Sequence, residues 1–393
     1  MKKVFLFSLF LVLGLVLSQC LPVWLGEAFL TAEKVAKTLM FVCLAFIMIN
    51  VGREFELDKT KWRSYAADYF IAMATAAVPW IMVAFYYMFL LPADLFGNWD
   101  AWKENLLLSR FAAPTSAGIL FTMLAAAGLR REWIYKKTQV LAIFDDLDTI
   151  LLMIPLQIFM IGFKWQLFAV VIVITFLLVI GWKKLGTIRL SQTWKSILFY
   201  AVCIVAVTES IYLLTKWMMG ADGAIHIEVL LPAFVLGMVM KTVHQHGNRD
   251  EKITGMISYL FMFLVGLSTP QFIGIDHGHR ITEAVGIIAA QPMPSWEVLV
   301  VHVIVVTLLS NLGKMFPLFF YRDRQLEERL ALSVGMFTRG EVGAGIIVIA
   351  MGYNLGGPAL IISVLSLVLN LLLTGGFVVI VKRLAQQAYV LKE

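Results

Sequence analysis

Apolar positions along this chain do not alternate with polar ones; they gather in long continuous runs. The runs approach or exceed the length of about 20 residues that a helix needs to cross a bilayer. Charged and Gly/Pro-containing breaks divide them into twelve segments, near residues 4–20, 36–51, 64–91, 105–129, 138–162, 166–182, 196–219, 225–243, 253–274, 296–321, 327–355 and 356–384. An outer-membrane barrel is excluded, because its strands would alternate apolar and polar residues over segments of about ten. The pattern predicts an all-α polytopic membrane protein with about twelve spans.

Lys and Arg gather in alternate loops. One set comprises Lys2/Lys3, Arg53–Arg63, Arg130–Lys137, Lys183–Lys195, Lys241–Lys252, Arg322–Arg329 and the C-terminal tail. The opposite loops hold only Lys34, Lys37, Lys103, Lys164, Lys216 and Arg280. Cytoplasmic loops are enriched in such residues, so both termini are expected in the cytoplasm and the chain in the inner (plasma) membrane. Composition agrees: the chain is 60% hydrophobic and 15% charged, against roughly 45–50% and about 25% in soluble domains. A soluble enzyme, a disordered regulator and a secreted disulfide scaffold are excluded. The net charge of +6 sits in membrane-flanking loops, which argues against a nucleic-acid partner. Cys20, Cys43 and Cys203 lie in or beside apolar runs without paired or metal-ligand spacing. The opening MKK and the run after it read as the first span, since a small-residue cleavage site is lacking.

Some charges lie inside spans: Arg110, Lys314 and Arg339, with Asp68, Asp145, Asp146, Asp148, Glu209, Glu341 and, near an end, Glu228. Charges in hydrocarbon are costly and usually face a cavity or a partner. An internal repeat frames several of them. Ile49–Arg53 in the second segment matches Phe263–Leu267 in the ninth. The fourth and eleventh are interrupted by Ala113–Gly118 and by Thr338–Gly343. Each pair is seven spans apart, and an odd offset inverts the orientation. The expected organisation is a single transporter domain: repeat one over 4–162, linking helices over 166–219, repeat two over 225–384, then a short tail, 385–393. Inverted repeats with discontinuous helices characterise many secondary transporters.

The fifth segment carries Asp145-Asp146-Leu147-Asp148. Neighbouring helix residues point about 100° apart, so Asp145 can meet a fixed cation while Asp146 faces a cavity. Asp148 shares the side of Asp145. Two carboxylates in a low-dielectric site resist joint ionisation, so such a site takes a proton or a small cation in competition, as an antiporter requires. Lys314 supplies a counter-charge; the seven residues from it to Tyr321 span about 10 Å of helix, too far for easy snorkelling. Arg339 and Glu341 can pair with each other, with Asp68 or with Glu209, and so hold the second break open. Arg110 is expected near the mouth facing away from the cytoplasm. Asp68 is close to a span end, where solvation is the ordinary outcome. The six histidines fall mostly in loops, with His244 and His246 able to tune a pH response.

At these residues the chain resembles the monovalent cation:proton antiporter-2 family of sodium/proton exchangers. Cys43–Leu57 resembles its second-helix element with Gly52-Arg53-Glu54, and Thr115-Ser116 its first broken helix. Asp145-Asp146 resembles its paired acids, Phe263–Ser268 the mirrored element, and Arg339–Val342 its second broken helix. The resemblance implies an elevator-like exchange in a homodimer. Asp146 is then the ion- and proton-binding carboxylate, Asp145 the partner of Lys314, and Thr115 and Ser116 line the site. Two aspartates imply electrogenic transport. Asp148 departs from the family pattern.

The expected activity is therefore antiport of protons against Na+ (or Li+ or K+) by alternating access, with the lipid bilayer as partner, no cofactor, and no metal beyond the transported cation. Asp148, Asp68 and Glu209 are accessory candidates. The alternatives are a sodium-coupled symporter on a similar inverted fold and an Asp-rich, magnesium-dependent intramembrane prenyltransferase. The latter normally needs a second Asp cluster, which the sequence lacks.

Overall fold

The computed structural model describes residues 2–26, 28–54, 62–130, 132–161, 166–184, 186–219, 229–240, 248–268, 286–288, 290–353 and 355–390. Among them the architecture is helical: α1 (Lys2–Leu25), α2 (Ala28–Glu54), α3 (Trp62–Leu90), α4 (Trp99–Ser109), α5 (Ala117–Ala126), α6 (Trp133–Ile161) and α7 (Gln166–Lys183). There follow α8 (Trp194–Met219), α9 (Leu230–Val239), α10 (Asn248–Leu267), α11 (Trp296–Gly313), α12 (Leu326–Gly335), α13 (Glu341–Gly352) and α14 (Gly357–Val390). Each of the twelve expected segments holds a helix, and the two interrupted ones hold pairs, α4/α5 and α12/α13. Among the described residues six stretches are long and apolar enough to cross a membrane: Thr31–Arg53, Arg63–Leu90, Trp99–Ala126, Trp194–Trp217, Trp296–Phe319 and Gly357–Ala388. Residues 385–390, expected as tail, continue α14. Ala385 and Ala388 are still buried, so the apolar stripe runs on at i, i+3 spacing.

Two compact units are present, residues 1–24, 60–156 and 265–393 in the first and 25–59 and 157–264 in the second. In the second, α2 packs on α8 and α9, and α9 also on α7. Small residues let α2 and α9 meet backbone to backbone: a Cβ on Gly52 would strike the Phe234 carbonyl, and one on Gly237 the Ile49 carbonyl. Close approach of this kind is how membrane helices gain packing energy without a hydrophobic drive. The chain after α7 is tied to the end of α9 by Gly186 N–H to Met238 C=O at 3.0 Å and Ile188 N–H to Val239 C=O at 2.9 Å.

In the first unit α3 packs on α4 and α11, and α14 on α11 and α12. Gly313 of α11 admits Pro79 of α3, whose Cα would lie 2.5 Å from a Cβ there. Gly266, at the end of α10, lies against the Leu11 carbonyl of α1. The break after α4 begins with a 3-10 turn, Arg110–Ala112, and ends at Ser116, whose Oγ caps α5 by accepting from Ile119 N–H at 3.4 Å. The break after α12 runs from Met336 to Gly340.

Candidate functional site

The two breaks cross. Ser116 N–H donates to the Thr338 carbonyl at 3.0 Å, and Thr115 Oγ1 donates to the Met336 carbonyl at 3.1 Å. Gly340 is where the chains touch, since a Cβ on it would lie 2.8 Å from Ser116 Oγ and 2.9 Å from Ser116 Cβ. Backbone groups that a continuous helix would use internally are thus spent between the two breaks, as burial demands.

Against this crossing stands α6. The Thr115 N–H donates to Asp145 Oδ2 at 2.6 Å, and Lys314 Nζ donates to both carboxylate oxygens of Asp145 at 2.9 Å. Asp145, Lys314, Thr115 and Arg339 are fully buried, and Ser116 nearly so. Lys314 directly follows α11 and caps its C-terminus, so its stem needs no snorkelling route. A buried pair of this kind offsets its desolvation only with good geometry and further hydrogen bonds, and the Thr115 amide supplies one. Asp146, the next residue on α6, is also buried at 6% exposure, and the Lys314 charge acts on it as well as on Asp145.

Arg339 departs from expectation. Its Nη1 donates to the Met336 carbonyl at 3.1 Å and its Nη2 to the Ser310 carbonyl at 3.2 Å, so it braces the second break through backbone and faces Asp145 electrostatically. Asp68 is not its partner, nor is it a solvated helix end. Asp68 is 1% exposed and accepts from Lys137 Nζ at 3.0 and 2.9 Å and from the Tyr321 hydroxyl at 2.7 Å. The α13 helix begins at Glu341, whose side chain lies outside what is described. Glu209 is half-buried on α8 in the second unit. Arg110 is not at a mouth; it is wholly buried, over the Trp80 ring at 4.5 Å. Asp148 is buried at 2% exposure. His302 lies within α11, its Nδ1 2.7 Å from the Tyr86 hydroxyl, while His226, His244, His246, His277 and His279 fall outside the described residues.

Sequence reasoning missed Lys137 and Tyr321. Lys137 was grouped with loop charges, but α6 begins at Trp133, which places it in the second turn with its head against Asp68. Tyr321 carries φ +52°, a left-handed conformation costly for a bulky residue. Its hydroxyl bond to Asp68 holds it there.

Chemically the arrangement provides adjacent buried carboxylates, one neutralised by a lysine and one beside it, where two helices are interrupted. Comparison with curated proteins finds no match. Residues 2–385 match the family model for the transmembrane sodium/hydrogen exchanger. That match covers nearly the whole chain, and the family is one of transporters and not of enzymes. With a polytopic helical fold and buried acids at crossed helix breaks, the chain belongs to the sodium/hydrogen exchanger family, multi-pass membrane proteins that exchange cations for protons.

Proposed function

We propose that this exchanger carries Na+ inward or outward against H+ by alternating access, with Asp146 as the carboxylate that takes either the proton or the cation. Asp145 is paired with Lys314 and fixes the depth of the site. Thr115 and Ser116 complete its lining, and Arg339 with Glu341 keeps the second break open. Exchange is electrogenic because two protons cross against one cation: one leaves Asp146, and the second leaves Lys314 when the cation draws the Asp145 carboxylate away from it; Li+ and K+ are the competing cations.

One observation carries this reading: Lys314 and the Thr115 amide both converge on Asp145 where the two breaks cross, with Asp146 buried next to it. A lysine-paired acid beside a second buried acid gives a site whose titration belongs to the cluster, and proton and cation compete for it. Helix pairing supports the inverted repeat. The second segment packs on the eighth through Gly52, and the ninth approaches the first through Gly266. Exchanging the repeats would convert one contact into the other. The same exchange relates the crossed breaks of the fourth and eleventh segments. The proposal includes a homodimer in the plasma membrane with both termini cytoplasmic, surrounded by lipid.

The test is Asp146→Asn, assayed as Na+-induced dequenching of a pH dye in everted vesicles. The variant is expected to insert and to show no dequenching. Wild-type-like exchange in it overturns the assignment of Asp146.

A further inference from the structure

Beside the Asp145–Lys314 pair lies a second set of buried charges that the exchange reading does not use. Arg110 sits in the turn that ends α4, with no exposure to solvent. Its guanidinium lies over Trp80, and its Nη2 donates to the main-chain carbonyl of Asp148 at 3.0 Å. Among the described residues, Arg110 Nε and Nη1 and Asp148 Oδ2 are buried without hydrogen-bond partners. A guanidinium with two idle nitrogens is costly in a packed interior, so hydrogen bonding does not explain why Arg110 is there. Charge does.

The groups facing the Asp148 carboxyl are Tyr69 of α3, Arg110 after α4, Lys314 at the end of α11, and Asp145 on its own helix. The Arg110 charge acts on both Asp148 and Asp145. Around the crossed breaks the described buried charges are the acids Asp145, Asp146 and Asp148 and the bases Arg110, Lys314 and Arg339. Removing Arg110 and Asp148 together leaves that balance untouched; removing either alone breaks it. Two residues apart on α6, Asp146 and Asp148 point about 200° from each other. Asp148 therefore cannot share a ligand with Asp146, and its influence on the site is through the field.

We propose that Arg110 and Asp148 are a charge-balanced positioning pair that sets how tightly the Asp145–Asp146 site holds its cation. The inference rests on the exchange reading above. A negative charge on Asp148 strengthens cation binding, the positive charge on Arg110 weakens it, and the two together hold affinity in a range from which the cation can leave.

The readout is the Na+ concentration that gives half-maximal dequenching at one alkaline pH, in proteoliposomes of the full chain. A unit charge about 10 Å away at an effective dielectric near 20 changes affinity by about tenfold. Asp148→Asn is expected to raise half-saturating Na+ by about that factor, and Arg110→Met to lower it by a similar factor. Arg110→Met/Asp148→Asn returns to within about twofold of wild type, and so does Arg110→Lys, which keeps the charge and loses the guanidinium fork. A merely structural role predicts losses of one sign in every variant. Unchanged half-saturation in Asp148→Asn, shifts of the same sign in the two single variants, or a double variant as displaced as a single one overturns the proposal. If Arg110→Met does not fold, Asp148→Asn and the double variant decide the matter. Failure of the exchange reading is seen elsewhere, as exchange persisting in Asp146→Asn, because the present readout compares affinities only in chains that exchange.

Discussion

Gly340→Ala is the sharpest probe of the crossing. Gly340 has φ −175° and ψ −132°, outside the left-handed region, and the added methyl is judged by its contacts. It would meet Ile119 Cδ1 at 2.7 Å, Ser116 Oγ at 2.8 Å and Ser116 Cβ at 2.9 Å. The isoleucine methyl can turn aside. Ser116 Cβ cannot, because its own N–H is bonded to the Thr338 carbonyl at 3.0 Å. The breaks must therefore separate by a few tenths of an ångström, an overpacking cost of about 1–3 kcal/mol. The displacement passes to Thr115, one residue away, and loosens the 2.6 Å bond from its amide to Asp145. Gly340→Ala is expected to insert normally, to lower the apparent Tm in detergent, and to reduce exchange by about tenfold, the equivalent of 1.4 kcal/mol. Ser116→Gly removes both clashing serine atoms and costs the α5 cap only a few tenths of a kcal/mol. Gly340→Ala/Ser116→Gly should then recover most of the lost Tm, as a non-additive pair, while exchange stays reduced because Ser116 lines the cation site. Wild-type stability and rate in Gly340→Ala, or strict additivity of Tm in the double variant, refutes the reasoning.

Lys314→Ala leaves Asp145 a buried carboxylate without its ammonium, at a cost of about 3–5 kcal/mol. The apparent Tm should fall sharply and recover in Lys314→Ala/Asp145→Asn, and any exchange that survives should be insensitive to membrane potential. At the other end of α6, Tyr321→Phe deletes one donor to Asp68 and should cost about 1 kcal/mol. Lys137→Met leaves that carboxylate buried without a counter-charge and should cost more; equal losses of Tm in these two variants would count against the Asp68 network.

The helices were legible because continuous apolar runs have no other use in a chain with so few charges. The breaks were legible too, since Pro114 and Gly340/Gly343 with polar neighbours mark backbone that cannot stay helical. Asp145, Asp146 and Lys314 stood out because an ionisable group within an apolar run is rare. What the sequence hid was partnership. Arg339 reads as a side chain in need of a carboxylate, yet its guanidinium satisfies main-chain carbonyls at Met336 and Ser310, and no pattern marks which carbonyls a break will leave open. Asp68 and Lys137 lie 69 residues apart, and Lys137 was masked by the loop charges beside it. The twist of Tyr321 into positive φ has no local signal at all.

The crossing also explains why the buried pair and the broken helices occur together. A continuous helix through 113–116 would bond its N–H groups to its own carbonyls four residues back. Interrupting it releases the Thr115 amide to Asp145 and the Ser116 amide to Thr338. Interrupting the partner releases the Met336 carbonyl, which accepts from both Thr115 Oγ1 and Arg339 Nη1. Each break thus consumes the groups the other exposes, and neither would be tolerated at this depth alone. Asp145 is fixed by one break directly and by the other through Thr115, leaving Lys314 to neutralise it. Any shift of one break against the other must therefore change the depth and orientation of the Asp145 carboxylate, and with it the setting of Asp146 one residue along the same helix.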